Sequence, residues 1–250
     1  FLTDSGTSAL SQEQWSQIML GDESYASAKS WERLEASVKK FTGKKEVIPV
    51  HQGRAAEKII AEVLLQKNDV ALSNGFFDTT RANFEHRGVI CLDTPTEKAL
   101  DLSRPKLFKG DINAKKLREL ISKYHERAKV VLMTLTNNTG GGQPASLKNV
   151  ELAMQIAKKN GLTFIIDACR IAENAYFIWN NEQNKSGNVR SIIRKLFSLS
   201  DIAFMSTKKD GLANSGGFIV TNDKVLAAKL RELVVLYEGF VTYGGMTGRD

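Results

Sequence analysis

Two short stretches carry residue types from which chemistry could be built. Ser206-Thr207-Lys208-Lys209-Asp210 closes the apolar run Ile202-Ala203-Phe204-Met205, and Asp167-Ala168-Cys169-Arg170 closes Phe164-Ile165-Ile166. Short apolar runs bounded by polar residues read as buried strands. In an open α/β sheet the strand exits face one crevice, so a Lys and an Asp from two of them can converge. Pyridoxal phosphate chemistry needs that pair. The Lys forms a Schiff base with the aldehyde, and the Asp keeps the pyridine nitrogen protonated so that the ring accepts carbanion electrons. The pair alone has a plainer reading. Most lysines of a basic chain are solvated, and an Asp three residues before an Arg is commonly a local ion pair.

The elements that must position these residues follow from periodicity. A helix is expected over 30–41, with Trp31, Leu34, Val38 and Phe41 on one face and Gly43 ending it. A short strand at 47–50 leads to His51-Gln52-Gly53-Arg54, which opens a helix over 55–66. Backbone N–H groups at a helix start, beside a Gly and an Arg, suit a phosphate; a plain helix entry with a surface Arg is the alternative. Strands are expected at 70–73, 88–92 and 130–135, and a loop over 93–109. Helices are expected over 112–124, from the Ser146 cap to Gly161, over 189–199 and over 223–237. Residues 216–220 read as a hairpin-like return. Alternating strands and helices give an α/β fold of three layers around a mainly parallel sheet.

Composition narrows the classes. The chain has 250 residues, 42% hydrophobic and 25% charged, as in ordinary globular proteins. No apolar run approaches the roughly 20 residues of a membrane span, and no secretory leader pattern opens the sequence. Two cysteines, Cys91 and Cys169, make neither a disulfide framework nor a zinc site, which points to a reducing cytoplasm. The net charge of +7 is spread over separated lysine pairs, among them Lys44-Lys45. No aromatics interleave with them, so a solvated surface is expected and a nucleic-acid partner is not. His51, His86 and His125 lack metal-ligand spacing, and the Gly140-Gly141-Gly142 loop is neither a dinucleotide fingerprint nor a Walker A run.

Further motifs then line up in order. They are Leu2-Thr3-Asp4-Ser5-Gly6-Thr7, Gly21-Asp22-Glu23-Ser24-Tyr25, His51-Gln52-Gly53-Arg54 and Phe76-Phe77-Asp78-Thr79-Thr80. Asn138 with Gly141-Gly142-Gln143-Pro144, Asp167-Ala168-Cys169-Arg170 with Glu173-Asn174-Ala175-Tyr176-Phe177-Ile178, and Met205-Ser206-Thr207-Lys208-Lys209-Asp210 complete the set. Together they resemble the pyridoxal-phosphate-dependent β-eliminating lyases, the family of tryptophanase and tyrosine phenol-lyase, whose fold is the aspartate-aminotransferase-like fold type I. The resemblance covers essentially the whole chain. It implies an N-terminal segment over 1–45 and a large cofactor domain over 46–250. The family's small C-terminal domain, which binds the substrate carboxylate through an Arg, lies outside this sequence, so the chain reads as an internal fragment.

Carried over by motif, the resemblance makes Lys209 the Schiff-base lysine and Asp167 the pyridinium partner. Arg170 and Asn138 would contact the phenolic oxygen of the cofactor, Phe77 would stack on its ring, and Gln52, Gly53, Arg54 and Ser206 would hold its phosphate. Tyr25 would be the general acid toward the leaving group, and Lys208 would order water. Thr3, Ser5, Asn138, Asp78 and Phe240 would meet the substrate. Gly6, Glu23 and Asn214 match a monovalent-cation site suited to K⁺. The family's active sites lie between subunits of a homotetramer. The implied reaction is β-elimination of tryptophan to indole, pyruvate and ammonia. Release of phenol from tyrosine, a catalytically incomplete fragment and an aminotransferase are the other readings. Asp78 and Phe240 resemble tryptophanases, whereas the closing Gly248-Arg249-Asp250 resembles the phenol-lyases.

Overall fold

The computed structural model describes residues 10–22, 26–101, 103, 105–181, 187–246, 248 and 249. In chain order the elements are α1 (Gln12–Ile18), α2 (Lys29–Thr42), β1 (Glu46–Val50), α3 (Gly53–Leu64), β2 (Val70–Ser73), α4 (Asp78–His86), β3 (Ile90–Asp93) and α5 (Glu97–Leu100). There follow α6 (Ala114–Tyr124), β4 (Ala128–Thr134), α7 (Leu147–Lys159), β5 (Thr163–Asp167), α8 (Ile171–Asn181), α9 (Val189–Leu199), β6 (Ile202–Ser206), β7 (Gly217–Thr221) and α10 (Lys224–Tyr237).

The strands form one sheet in the order β1-β7-β6-β5-β4-β2-β3. All neighbouring pairs are parallel except the two made by β7, which returns antiparallel to β6 and also pairs β1. Strands β5, β6 and β7 are buried along nearly their whole length, because helices cover both faces. Alternate residues therefore feed two separate cores. Ala203 and Met205 of β6 join Phe164, Ile166, Leu196 and Phe197 on one side. Ile202 and Phe204 join Ile48, Ile59, Ile60, Ile219 and Leu230 on the other. The second side is covered by α3 and α10, the first by α2, α6, α7 and α9. This is the three-layer, mainly parallel α/β architecture expected from the sequence.

Two topological facts create the site. Helix α3 carries the chain from the β1 border of the sheet to β2 near the other border, so its N-terminus lies over the strand ends. Strands β5 and β6 run side by side, with Asp167 opposite Phe204, so β6 reaches Ser206 just past the end of β5.

Local differences from the expected elements have physical reasons. Helix α3 starts at Gly53 because Gln52 is fully extended, at φ −170°. Strand β3 starts at Ile90 because Gly88 sits at φ +78°, against Lys67, in a turn that a strand cannot contain. The segment read as a loop over 93–109 holds the single helical turn α5. Helix α4 carries little local helix signal, because Asp78-Thr79-Thr80 are weak helix formers in an interior. At a first turn, however, an acidic residue such as Asp78 is favoured by the helix dipole. Lys44 is the clearest exception to the solvated-lysine reading. It is 4% exposed, and its ammonium donates to the Ser200 carbonyl. Burial pulls its pKa down to about 8.

Candidate active site

The strand exits and the start of α3 enclose a cavity of about 210 Å³. Gln52, Gly53, Arg54 and Ser206 line it. The first N–H groups of a helix have no partner within it, and the helix dipole adds partial positive charge there. Close approach depends on Gly53. A Cβ at that position would lie 2.9 Å from Cβ of Ser206. The side chain of Gln52 is tied from behind, its Nε2 2.6 Å from His51 Nε2. His51 Nδ1 in turn meets the carboxylate of Glu238, which also accepts the His51 backbone N–H at 2.9 Å.

Asp167 ends β5 fully inside the cavity wall, 3% exposed. It accepts the backbone N–H of Cys169 at 3.0 Å. Burial pushes its carboxyl up, and Cys169, Arg170 and Lys209 offset that only in part. Arg170 is 6% exposed and lines the same cavity, as do Lys208 and Lys209. The lysines sit on a turn that leaves β6. Lys209 N–H donates to the Ser206 carbonyl, and Asp210 N–H donates to the Cys169 carbonyl, which ties the two strand exits together. Asp210 also accepts the N–H groups of Ala172 and Glu173, so it caps the start of α8.

Phe77, half-buried, lines the same cavity as the residue before α4, as does Thr79. Among the cavity residues to which the sequence assigned no role are two titratable ones, Glu57 and Cys169. Glu57 projects from the second turn of α3 and is 3% exposed. It accepts from Thr80 Oγ1 at 2.8 Å, and burial together with nearby Asp167 raises its pKa to about 7. Its signal was available: Glu57 shares a helix face with Gly53 and Ile60, a face otherwise apolar. Cys169 Sγ accepts the Ser206 N–H at 3.2 Å, and burial holds the thiol protonated, well above its usual range.

The structure therefore brings Gln52, Gly53, Arg54, Phe77, Asp167, Arg170, Ser206, Lys208 and Lys209 to one cavity. Asn138 is exposed on a 3-10 turn after β4 and does not line it. Asp78 is exposed between the two lining residues Phe77 and Thr79. Phe240 is 43% exposed beyond α10. Asn214 lines a different hollow, of about 520 Å³, with Gly21 and Trp31. Thr3, Ser5, Gly6, Glu23 and Tyr25 lie outside the described residues. Among the described residues no cluster of three His, Cys, Asp or Glu side chains could hold a metal ion.

The donor set fits pyridoxal phosphate. A buried carboxylate held high by burial calls for a cationic N–H across the cavity, and a protonated pyridine nitrogen supplies one. The Gly53–Ser206 approach leaves backbone N–H groups and a guanidinium where a dianionic phosphate would sit. An aromatic face stands ready for a flat ring.

Solved structures of the same architecture include the Helicobacter pylori aminotransferase PseC, at TM-score 0.64 and 17% identity over 94% of this chain and 56% of that one. NtdA from Bacillus subtilis, solved with bound cofactor PMP, gives TM-score 0.62 at 19% identity over 91% and 46%. The fold is thus that of the fold type I, aminotransferase-like proteins. The sequence profile of the β-eliminating lyases matches residues 1–244, and the chain belongs to that family. A tryptophanase from Hyphomonas neptunium is 46% identical over 250 residues, and a tyrosine phenol-lyase from Clostridium tetani 43% over 251. Both comparisons cover all of this chain and 55% of the relative, so the chain spans about half the length of the curated relatives it matches.

Proposed function

We propose that the full-length protein is a pyridoxal-phosphate-dependent carbon–carbon lyase that converts L-tryptophan and water to indole, pyruvate and ammonia. The observation that carries this is the meeting of Lys209, Asp167 and the Gln52-Gly53-Arg54/Ser206 cradle in one cavity. Bound there, the cofactor supplies an aldehyde that condenses with amino groups and a ring that accepts electrons from the substrate α-carbon. Asp167 would hold the ring nitrogen protonated, Phe77 would pack on the ring face, and Arg54, Ser206 and the first N–H groups of α3 would hold the phosphate. Arg170 would donate to the ring oxygen. Lys209 would anchor the aldehyde and, once the substrate amine has displaced it, take the α-proton. Lys208, beside it on the cavity wall, would order water. Tyr25 would protonate the leaving carbon, with Thr3 and Ser5 near the substrate.

Preference for tryptophan rests on Asp78, whose carboxylate could accept the indole N–H, and on Phe240. The tyrosine phenol-lyase relatives keep release of phenol from tyrosine as the second reading. Steady-state kcat/KM of the full-length protein for both amino acids decides between them. Faster phenol release than indole release would overturn the tryptophan reading. A K⁺ site at Gly6, Glu23 and Asn214, a homotetramer with sites between subunits, and a cytoplasmic setting are part of the same proposal. Equal activity in Na⁺ and K⁺ would count against the cation site. Among the described residues no helix is long and apolar enough to cross a membrane.

A further inference from the structure

Glu57 lines the same cavity as Asp167, yet no step proposed for the cofactor uses it. A carboxyl buried to this degree is unfavourable, and the hydrogen bonds made to it offset the cost only in part. What Glu57 touches is the start of α4. Its Oε1 accepts the Thr80 hydroxyl at 2.8 Å, and the carboxyl is also hydrogen-bonded to the Thr79 side chain. Thr80 is fully buried in the first turn of α4. Asn83, one turn further on, donates to the Thr79 carbonyl at 2.9 Å and reaches the Arg54 carbonyl and Glu57 Oε2 at 3.4 Å each.

The two helices joined in this way hold different parts of the cavity. Helix α3 begins at Gly53 and Arg54, in the cradle where a phosphate would sit. Helix α4 begins directly after Phe77, whose carbonyl accepts the Arg81 N–H at 3.0 Å. Phe77 is therefore carried by α4. Its other neighbour, Phe76, is fixed to the sheet side: its N–H donates to Asp93 at 3.0 Å, and its ring meets Phe84 edge-on at 5.9 Å. Deeper in, Ile60 of α3 and Phe84 of α4 belong to one apolar core. Apolar packing is non-directional, whereas a hydroxyl–carboxyl bond has a preferred length and angle and sets the register of one helix against the other.

Resting on the reading of this cavity as a pyridoxal phosphate site, we propose that Glu57 is a positioning residue that fastens α4 to α3, so that the Phe77 ring stands at a set distance from the phosphate cradle. A ligand held at both ends, its ring by Phe77 and its phosphate by α3, needs that spacing fixed. Inorganic phosphate reaches only the cradle and does not. The fastening is independent of the charge on Glu57, since an ionised and a neutral carboxyl both keep an oxygen that accepts the Thr80 hydroxyl.

The test uses the full-length apoprotein and two probes: inorganic phosphate, and pyridoxine 5′-phosphate, which adds the ring but has no aldehyde for Lys209. In Glu57→Leu, affinity for inorganic phosphate is expected to stay within about threefold of wild type, while affinity for pyridoxine 5′-phosphate falls about tenfold, the loss of one aromatic stacking contact. The circular dichroism of the bound ring should weaken in the same variant. Glu57→Gln, which keeps an acceptor for Thr80, should restore both readings, and Thr80→Val, which removes the hydroxyl and keeps the shape, should repeat the Glu57→Leu result. Unchanged ring affinity and dichroism in folded Glu57→Leu overturn the proposal, as does an equal loss for both probes, which would make Glu57 a support of the fold alone. Should Glu57→Leu not fold, Thr80→Val decides by the same readings. Failure of wild type to bind either probe would instead sink the reading of the cavity as a phosphate site.

Discussion

Replacing Gly53 by Ala tests whether the start of α3 holds the phosphate. Gly53 has no positive φ, so Ala meets no backbone strain there. The obstacle is contact: the new Cβ would stand 2.9 Å from Cβ of Ser206, where ordinary contact begins at 3.4 Å. Neither atom can swing aside, because each is fixed to its main chain. The helix start must therefore retreat from β6 by at least the difference, 0.5 Å. Overpacking of this kind costs about 1–3 kcal/mol. The better helix propensity of Ala returns up to about 1 kcal/mol. Stability should consequently drop only modestly. The cradle should suffer more, since a retreat of that size lengthens charge-assisted bonds that contribute about 1.5–3 kcal/mol each. Loss of one such bond predicts affinity for pyridoxal phosphate reduced by about 10²-fold. Equilibrium dialysis reads the affinity, and a melting curve of the apoprotein confirms folding. A folded variant that binds within threefold of wild type would refute the assignment of the phosphate to this helix start.

Three further outcomes follow from the same geometry. Asp167→Asn removes the negative partner of the ring nitrogen, and turnover of the full-length protein should fall at least ~10²-fold, about 2.7 kcal/mol of transition-state stabilisation; near-normal turnover would mean that another group supplies the charge. Glu57, with its pKa raised to about 7 from the usual 4.5, binds more protons folded than unfolded between those values. Its contribution to stability is thus complete below about pH 4.5 and lost as pH rises through about 7. Glu57→Gln should therefore gain on wild type by roughly 2–3 kcal/mol between pH 5 and pH 8 in apoprotein melts, and a gap independent of pH would show that Glu57 titrates normally. Asp78→Thr should shift the kcat/KM ratio toward tyrosine, and an unchanged ratio would remove Asp78 as the selector.

Much of this was legible in the sequence because its signals are local. The apolar runs ending at Asp167 and Ser206 became adjacent parallel strands, and the Asp223 and Ser146 caps start helices where expected. What the sequence did not disclose depends on contacts between distant segments. Glu57 acquires its raised pKa only because distant segments bury it and bring Asp167 near, which outweighs the lowering effect of the hydrogen bond from Thr80. The Glu238–His51 contact joins residues 187 positions apart. Lys44 looks like any member of a surface lysine pair until the β6 entry offers it the Ser200 carbonyl. Asn138 shows the converse: its motif is plain in the sequence, yet the side chain that anchors the turn is that of neighbouring Asn137, through Gly75 at 2.7 Å.

The central claim is that Lys209, and not the adjacent Lys208, carries the cofactor. Both line the cavity, so position alone does not separate them. Borohydride reduction of the full-length protein with pyridoxal phosphate bound, followed by peptide mapping, should place the reduced pyridoxyl group on Lys209, with the label lost in Lys209→Ala and retained in Lys208→Ala. Label on Lys208, or labelling that survives Lys209→Ala, would contradict the account.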